Sequence, residues 1–362
     1  MRKIKGLLLA LLLSFVLMGC EPNDGLTPEE RKALKEDKIS PTIIIEEGYE
    51  VLTFDVGAQI DLLLGIKGED NLQGDITNKI TIDKSGYDET KKGYYELYYF
   101  LADYAGNNAT PVKRVIRLFD RQNVKLIAHR GFSAQEFDNT MEAFQAGVEA
   151  NFWGLECDVR VTKDNKLVIN HDDTLPGGNG LITQKTFDEI MEIEFTNSKF
   201  PGRVYKIASF YDYLLLCKEN NVTPIIELKA PFTNQQIQLV IDMVEAEGMM
   251  EKSVFISFQA SYLQYIRNRY SDVRLQLLLG NEDPTGPIKN CLANNYAISV
   301  AYSNPTFWTQ ANIDKFHKAA LEVAAWTVDN VNTMKELINM GVDCITSNAI
   351  NTLPELDPLP VQ

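Results

Sequence analysis

The sequence predicts a (β/α)8 barrel, an α/β fold of the TIM type, preceded by a small all-β sandwich. From residue 124 to about 345, eight strand-like runs alternate with helical patterns, as they do in such a barrel. From residue 41 to about 120, turn signals separate short runs of β-branched and aromatic residues, which is typical of a sandwich. The chain of 362 residues is long enough to contain both units.

The charge balance excludes some classes of function. The sequence has 35 lysines and arginines against 50 aspartates and glutamates, a formal net charge of −15. A general nucleic-acid binder needs a basic face, so that class is excluded, and the folded body is a poor match for anionic lipid. A locally positive pocket for a single phosphate is compatible with this balance.

The first 20 residues predict a targeting segment. Three basic residues precede the apolar run Leu7–Met18, which is too short to span a bilayer and suits a secretory signal peptide. The run ends in Leu17-Met18-Gly19-Cys20, which resembles the bacterial lipobox, and this resemblance implies cleavage before Cys20 and attachment of lipid to its sulfur. We therefore expect an extracytoplasmic lipoprotein, held to the membrane through Cys20 on a periplasmic or cell-surface face. An ordinary signal peptide with a chance cysteine is the alternative.

A linker and the sandwich are expected next. Residues 21–40 form the charged linker, in which Thr27-Pro28-Glu29-Glu30 is a capping box that predicts a short helix. The sandwich is expected over residues 41–121, with strands at Thr42–Ile45, Tyr49–Phe54, Ile60–Leu64, Ile76–Ile82, Tyr94–Leu101 and Val112–Phe119. The stretch from Gly93 to Asn107 resembles bacterial immunoglobulin-like modules of surface proteins. It carries no evident chemistry, so we expect a spacer or an interaction module of unidentified partner, with glycan binding as the alternative.

The barrel is expected over residues 122–362. Its eight predicted strands are Val124–His129, Trp153–Val159, Lys166–His171, Thr223–Lys229, Ser253–Ser257, Arg274–Leu279, Val323–Val328 and Val342–Thr346. The predicted helices are Thr140–Ala150, Thr186–Ile193, Phe210–Asn220, Asn234–Glu247, Ala260–Tyr270, Asn312–Ala320 and Val331–Met340.

One connection does not fit a regular barrel. Only Arg160–Asn165 joins the second and third predicted strands, which is too short for a helical crossover. The barrel should therefore lack a helix there, or these two strands form an irregular pair. The long stretch from Asp172 to about Tyr205 is expected to be an insertion over the carboxyl ends of the strands, where such barrels have their active sites.

Charged and polar residues lie at the ends of four predicted strands. They are His129 and Arg130 on the first, Glu156 and Asp158 on the second, His171 on the third, and Glu227 and Lys229 on the fourth. Because side chains alternate along a strand, Glu156 and Asp158 share one face. If all of these side chains point into the barrel mouth, three carboxylates, two imidazoles and two cations lie in one cup.

Three carboxylates in one cup need compensation, because like charges at short range oppose ionisation. A hard divalent cation with oxygen ligands, Ca²⁺ or Mg²⁺, provides it. Zinc is disfavoured, since the sequence has only 3 histidines and its remaining cysteines lack metal-ligand spacing. We expect those four cysteines to be buried as small apolar residues: Cys157, Cys217, Cys291 and Cys344.

A bound cation beside Arg130 and Lys229 makes a positive pocket that suits a phosphate. His129 and His171, on opposite sides, can supply a base and an acid, the minimum needed to displace one phosphate ester oxygen by another. The residue types alone therefore predict cleavage of a phosphodiester.

The motifs resemble, in order and spacing, the glycerophosphodiester phosphodiesterase family over about two thirds of the chain. The matching segments are Ile127–Gly131, Asp138–Thr140, Gly154–Val159, Thr162–Asp164, His171-Asp172, Glu227–Lys229, Ala325–Val328 and Gly341–Asp343. The resemblance implies an irregular TIM barrel of the PLC-like phosphodiesterase type. It also implies Ca²⁺- or Mg²⁺-dependent hydrolysis of small glycerophosphodiesters to glycerol 3-phosphate and an alcohol.

The resemblance also assigns roles by position. It implies His129 and His171 as the acid–base pair, and Arg130 and Lys229 as phosphate contacts. The metal ligands would be Glu156, Asp158 and Glu227. Trp326, at a strand end, would pack against the substrate's glycerol or line the cup.

The sequence departs from the family pattern at two places. Asp138 stands where the family usually has glutamate, at an expected helix start where aspartate caps well. Thr346-Ser347-Asn348 stands where the family usually has Thr-Asp. If that aspartate orients a catalytic group, the rate or specificity differs here.

The residues leave several alternatives open. The attacking oxygen belongs to water or to the neighbouring glycerol hydroxyl, the latter giving a cyclic phosphate, and either histidine could act first. Other substrates are intact phospholipid, a glycerol-phosphate polymer or an inositol phosphodiester. From a different class, the alternative is a catalytically inactive surface binding protein. His317 is expected on the surface, Asn139 in a structural hydrogen bond, and Asp172 beside an imidazole or as a cap.

Overall fold

The computed structural model describes residues 25–229 and 231–359. The predicted signal peptide and Cys20, the predicted lipidation site, lie outside the described residues. None of the helices described has the length and hydropathy that a bilayer-spanning segment requires.

The N-terminal region begins with a helix and continues in short strands. In chain order, the elements up to residue 119 are α1 (Pro28–Glu36), β1 (Thr42–Ile45), β2 (Val51–Asp55), β3 (Ile66–Asp70), β4 (Gly74–Asp75), β5 (Thr81–Asp83), β6 (Gly93–Phe100) and β7 (Val112–Phe119). The predicted capping box is confirmed, because Thr27 and Glu30 exchange hydrogen bonds at the start of α1.

The rest of the chain alternates strands and helices. Its strands are β8 (Lys125–Ala128), β9 (Gly154–Val161), β10 (Leu167–Ile169), β11 (Glu194–Phe195), β12 (Tyr205–Lys206), β13 (Ala208–Ser209), β14 (Thr223–Leu228), β15 (Val254–Ser257), β16 (Arg274–Leu279), β17 (Ala297–Ala301), β18 (Val323–Trp326) and β19 (Cys344–Ser347). Its helices are α2 (Met141–Glu149), α3 (Phe187–Met191), α4 (Phe210–Glu219), α5 (Asn234–Ala246), α6 (Ala260–Arg267), α7 (Thr285–Asn294), α8 (Gln310–Lys318) and α9 (Val331–Asn339).

Eight parallel strands close into the predicted barrel, in the order β8-β9-β14-β15-β16-β17-β18-β19 and back to β8. Helices follow most of these strands, so the TIM-barrel prediction is confirmed. The short connection Arg160–Asn165 joins an irregular pair of strands, which is the second of the two forms predicted for it. β9 and β10 pair antiparallel, and β10 therefore lies outside the barrel.

One barrel strand was missed by the sequence analysis. The missed strand is β17, the sixth of the barrel, which follows α7; the strand predicted over Lys166–His171 is instead the antiparallel β10. Gly286-Pro287 in the first turn of α7 resembles a loop signal, although proline is tolerated there. The three alanine and serine positions of β17 give a weak strand pattern.

Two predicted strands of the N-terminal region are also corrected. Ile60–Leu64 is a turn, in which Leu63 N and Leu64 N donate hydrogen bonds to Asp61. The strand predicted over Ile76–Ile82 is reduced to β5, because Thr77–Lys79 forms one turn of 3-10 helix.

The chain divides into two compact units. Within the described residues, the N-terminal unit comprises residues 25–45, Gly65–Ile82 and Tyr99–Val112, and the barrel unit comprises Glu46–Leu64, Asp83–Tyr98 and residues 113–359. The N-terminal unit contains the three-stranded sheet β1-β3-β4. β2, β5, β6 and β7 belong to a second, four-stranded sheet. The immunoglobulin-like character of these sheets and the predicted domain boundaries stay predictions.

Inside the barrel unit, Arg121 fixes the segment that leads into the first barrel strand. Its side chain is 3% exposed and donates to both carboxylate oxygens of Asp55, at 2.7 and 2.6 Å. It also donates to Asn339 Oδ1 at 2.6 Å, at the end of α9. Within the barrel unit, β2 is therefore held by the buried guanidinium of Arg121 as well as by its parallel pairing with β7.

Apolar residues pack on both faces of the barrel strands, inside the barrel and between the strands and the helices. A small interior cluster includes Ile127, Ile225 and Ile256. The alternate residues, such as Cys157 and Ile226, pack outward with the helices. The four cysteines within the described residues are free and buried, as predicted.

His317, which was predicted on the surface, is largely buried. Its side chain is only 14% exposed, and Nε2 lies 3.1 Å from Asp343 Oδ2, just before β19. The surface expectation was wrong because a helical pattern does not show that Asp343 and Phe119 cover this face of α8.

Candidate active site

The carboxyl ends of the barrel strands bring the predicted site residues together. One cavity is lined by seven of the eight predicted within the barrel: His129, Arg130, Glu156, His171, Glu227, Lys229 and Trp326. The eighth, Asp158, is buried and contacts Arg130 Nε at 3.3 Å and Lys229 Nζ at 3.5 Å. The roles of these residues stay predictions, but the cup that the sequence predicted exists.

Strand register places the carboxylates. In the parallel pair β9–β14, Ile225 lies opposite Glu156 and Glu227 opposite Asp158. Ile225 belongs to the interior cluster. Because side chains alternate, Glu156, Asp158 and Glu227 also face the barrel interior.

A tight turn after β8 positions the first histidine and arginine. Arg130 has a φ of 56° and Gly131 a φ of 78°, both in the left-handed region. A side chain at Gly131 would place its Cβ 2.5 Å from the carbonyl carbon of Ala143, so only glycine fits against α2. The turn directs the backbone N–H of Arg130 to Glu156 Oε2, at 2.8 Å.

The three carboxylates form one group. Each offers an oxygen, and these atoms all lie within 4.8 Å of one another. Glu156 Oε1 is buried and has no hydrogen-bond partner within the described residues. Burial, together with Asp158 and Glu227, raises the pKa of Glu156 well above its ordinary value.

The two cations of the cup, Arg130 and Lys229, affect the pKa values of the other two carboxylates. Burial and the nearby Asp158 raise the pKa of Glu227 to about 7, although Lys229 Nζ lies 3.0 Å from its Oε1. Burial opposes ionisation of Asp158, but Arg130 and Lys229 outweigh it and lower its pKa. Asn139 fixes Asp158 further by donating from Nδ2 to Oδ2 at 2.8 Å.

This donor set fits a hard divalent cation. The unpartnered Glu156 oxygen and the raised pKa values of Glu156 and Glu227 indicate that Arg130 and Lys229 compensate the three carboxylates only in part, and oxygen-liganded Ca²⁺ or Mg²⁺ would supply the remaining positive charge. Glu156, Asp158 and Glu227 are the residues that could hold it. The identity of the ion does not follow from these oxygens.

His129 is held by an asparagine and an aspartate from two other strand ends. Its Nδ1 lies 2.8 Å from Asn348 Oδ1. Asn348 Nδ2 donates to Asp329 Oδ2 at 2.6 Å, and since a carboxylate only accepts, this contact fixes which end of the amide faces His129. Nδ1 of His129 therefore carries the hydrogen, and Nε2 is free to accept a proton. Burial and the nearby Arg130 lower the pKa of His129, which favours the neutral ring.

His171 has a charged partner. Its Nδ1 lies 2.8 Å from Asp172 Oδ1, and its side chain is 38% exposed. Of the two roles left open for Asp172, the structure supports orientation of the imidazole. An acceptor at Nδ1 fixes the orientation of the His171 ring.

An aromatic pair forms one wall of the cavity. The indole Nε1 of Trp326 donates to the carbonyl of Ser299 at 3.0 Å. Phe258 meets the indole edge-to-face, with 5.8 Å between ring centroids, and also lines the cavity. Trp326 therefore lines the cup, which is one of the two positions predicted for it.

The insertion over Asp172 to Tyr205 reaches the mouth of the site. Lys199 and Phe200 line a groove that also includes His129, Arg130 and Asn348. Lys199 Nζ donates to the carbonyl of Ser133 at 2.7 Å. The insertion is thus placed where it was predicted.

Sequence reasoning missed or misplaced several residues. The segment with Asn348 was predicted as a place that could orient a catalytic group, but its contact with His129 and the part of Asp329 were not predicted, because no local pattern joins two strand ends. Asp138 was expected to cap α2, but Thr140 is the N-cap, and Asp138 instead accepts from Arg130 Nη1 at 3.2 Å. The structural hydrogen bond expected for Asn139 is confirmed.

Comparisons with known proteins agree with this geometry. Residues 129–352 match the model of the Glycerophosphoryl diester phosphodiesterase family. A glycerophosphodiester phosphodiesterase of Caldanaerobacter subterraneus subsp. tengcongensis is 27% identical over 246 residues, covering 64% of this chain and 96% of that protein.

Solved structures give the same fold. The crystal structure of a glycerophosphodiester phosphodiesterase from Parabacteroides distasonis has a TM-score of 0.53 and 26% identity, covering 63% of this chain and 93% of that one. An Oleispira antarctica phosphodiesterase, solved in complex with the product sn-glycerol-3-phosphate, has a TM-score of 0.57 and 19% identity, covering 63% and 94%.

Proposed function

Since the chain belongs to the glycerophosphoryl diester phosphodiesterase family and is an enzyme of that class, we propose that it hydrolyses small glycerophosphodiesters with His129 and His171 as base and acid. The products are glycerol 3-phosphate and an alcohol. The observation that carries this proposal is that both imidazoles line one cavity with carboxylates and cations, each with Nδ1 occupied by a partner.

The phosphate is bound by positive charge at the centre of the cup. Arg130 and Lys229 line the cavity and contact Asp158 from either side, so their charges are oriented before substrate arrives. A divalent cation on Glu156, Asp158 and Glu227 would polarise the phosphate and neutralise its charge. Trp326 and Phe258 then offer an apolar wall to the glycerol carbons.

The two histidines divide the proton transfers. Neutral His129 accepts a proton at Nε2 from the attacking oxygen. His171, oriented by Asp172, donates a proton from Nε2 to the leaving alcohol. Asn348 and Asp172 hold the two rings in the tautomers that these roles need. The attacker is water or the neighbouring glycerol hydroxyl, and ³¹P NMR of the reaction would detect a cyclic phosphate in the second case.

The test is release of glycerol 3-phosphate from glycerophosphocholine by the protein lacking residues 1–20. Release is expected with Ca²⁺ or Mg²⁺, not with EDTA, and is lost in Asp158→Ala and His129→Ala. Turnover only of phospholipid, a glycerol-phosphate polymer or an inositol phosphodiester would move the proposal to that substrate. Unchanged substrate binding with no turnover of any of them would instead support an inactive binding protein.

We also propose that the protein is a membrane-anchored lipoprotein outside the cytoplasm. The apolar run Leu7–Met18 followed by Cys20 supports this. Labelled fatty acid should enter the wild-type protein in bacterial cells, and Cys20→Ser should remove the label and release the protein from the membrane fraction. Equal labelling of both proteins would overturn the anchor.

A further inference from the structure

A second group of three carboxylates lies in the N-terminal unit. Asp37, Asp70 and Asp103 each offer an oxygen, and these atoms all lie within 4.8 Å of one another. The three residues come from distant segments: the C-cap of α1, the end of β3 and the loop after β6. Nothing in the catalytic cup uses them.

The backbone fixes one side of each carboxylate. Asp70 Oδ1 accepts from Gln73 N at 2.8 Å, and Asp37 Oδ1 accepts from Ile39 N at 2.9 Å. Asp103 accepts from the backbone and side chain of Asn107, at 2.8 and 2.7 Å. These contacts orient the carboxylates toward one another, although like charges repel.

Two oxygens of the group have no partner. Asp70 Oδ2 and Asp37 Oδ2 are buried, and no hydrogen-bond donor among the described residues reaches either one. Asp70 as a whole is only 8% exposed. A buried carboxylate oxygen without a hydrogen-bond donor destabilises the fold, so a group that holds two of them needs a further positive charge.

We propose that Asp37, Asp70 and Asp103 bind a divalent cation, Ca²⁺ in preference to Mg²⁺. Three oxygens whose separations are at most 4.8 Å are close enough for one ion to bridge, since ligands on opposite sides of Ca²⁺ lie about 4.6–5.2 Å apart at bonds of about 2.3–2.6 Å. Ca²⁺ is favoured because the two unpartnered oxygens are closed off from water, and Mg²⁺ gives up its water ligands reluctantly.

The bound ion joins three segments of the N-terminal unit. It links the end of α1 to a strand end and to a loop, and so closes two long loops of chain. Like any ligand that binds only the folded form, it stabilises that form. The residue just after α1 is thereby fixed to the sheet.

The test uses the protein lacking residues 1–20 and carrying Asp158→Ala, which removes a carboxylate of the catalytic cup. Isothermal titration with Ca²⁺ should show a site whose affinity falls at least about tenfold on adding Asp70→Asn. Glu69→Gln is the matched control, since Glu69 is exposed on the other face of β3 and its change should leave the affinity unaltered. Mg²⁺ should bind more weakly than Ca²⁺.

Thermal unfolding gives the second readout. Ca²⁺ should raise the melting temperature of the transition that includes the N-terminal unit by at least about 5 °C in the parent protein and not in Asp70→Asn. In EDTA, Asp70→Asn should melt no lower than the parent, because the substitution removes a repulsive charge. Equal Ca²⁺ binding and equal shifts in both proteins would overturn the proposal. In a catalytically intact background, Asp70→Asn should keep full activity, which separates this site from the proposed reaction.

Discussion

The side-chain oxygen of Asn348 lies 2.8 Å from Nδ1 of His129 and also accepts from the hydroxyl of Ser133 at 2.8 Å. Asp329 holds the amide nitrogen of the same asparagine. The amide oxygen accepts from Nδ1 and so fixes the tautomer of His129, while burial and the nearby Arg130 lower the pKa of the ring and favour its neutral form. The departure from the family's Thr-Asp pattern at Ser347-Asn348 thus coincides with a complete orienting network.

Removing that network should slow catalysis without weakening substrate binding. Asn348→Ala is expected to lower kcat by about 10- to 100-fold with little change in KM, because Nδ1 loses its acceptor and the tautomer is no longer fixed. Long-range ¹H–¹⁵N correlation of the imidazole should show Nδ1–H in the parent protein and a mixture in the variant. Ser133→Ala is the control, since it removes a second donor to Asn348 and keeps the contact with His129. A rise in KM alone would contradict a positioning role.

Glu156 should be indispensable for the metal. In Glu156→Gln, one charge of the three-carboxylate group is lost, and we expect kcat/KM to fall at least about 100-fold and metal affinity to weaken. Metal titration and initial rates measure the two effects. The exposed Glu142 on α2 offers a control of equal charge, Glu142→Gln, which should retain both properties. Full activity of Glu156→Gln in EDTA would contradict metal dependence.

Metal affinity should depend on pH near neutrality. The pKa of Glu227 is raised to about 7 in the metal-free fold, and a ligand must lose its proton to bind. Affinity is therefore expected to be highest above about pH 8 and to fall as the pH drops through about 7. Titration calorimetry in buffers of different ionisation enthalpy should detect proton release on binding, and Glu227→Gln should remove part of it. A pH-independent affinity would show that Glu227 is not a ligand.

Trp326 should act on substrate binding. Trp326→Ala removes the indole wall and is expected to raise KM about tenfold, while kcat changes less, since no proton passes through the ring. Trp326→Phe loses the hydrogen bond to Ser299 but keeps a ring beside Phe258. Its KM should therefore lie between that of the parent protein and that of Trp326→Ala. A lower kcat with unchanged KM would place Trp326 in the chemical step instead.

The sequence was most informative where a pattern is local. The residues of the cup follow or lie on barrel strands, and alternation alone predicted that Glu156 and Asp158 share a face. The hydrogen bond from Asn348 to Asp329 joins two separate strand ends, so no local pattern contains it. β17 was missed because alanine and serine pack inside a barrel without marking a strand by hydrophobicity. Asp138 was misassigned because its partner, Arg130, is positioned by a turn with positive φ.

Arg121 affects how this protein can be divided. The match to the family begins at residue 129, yet Arg121 is buried against Asp55, a residue far upstream. Because the barrel unit takes Glu46–Leu64 and Asp83–Tyr98 as well as the C-terminal part, the two units alternate along the chain. A truncated protein starting at residue 122 would lose Arg121 and its hydrogen bonds to Asp55 and Asn339. A cut after residue 121 therefore divides the barrel unit itself, because segments of that unit lie on both sides of the cut.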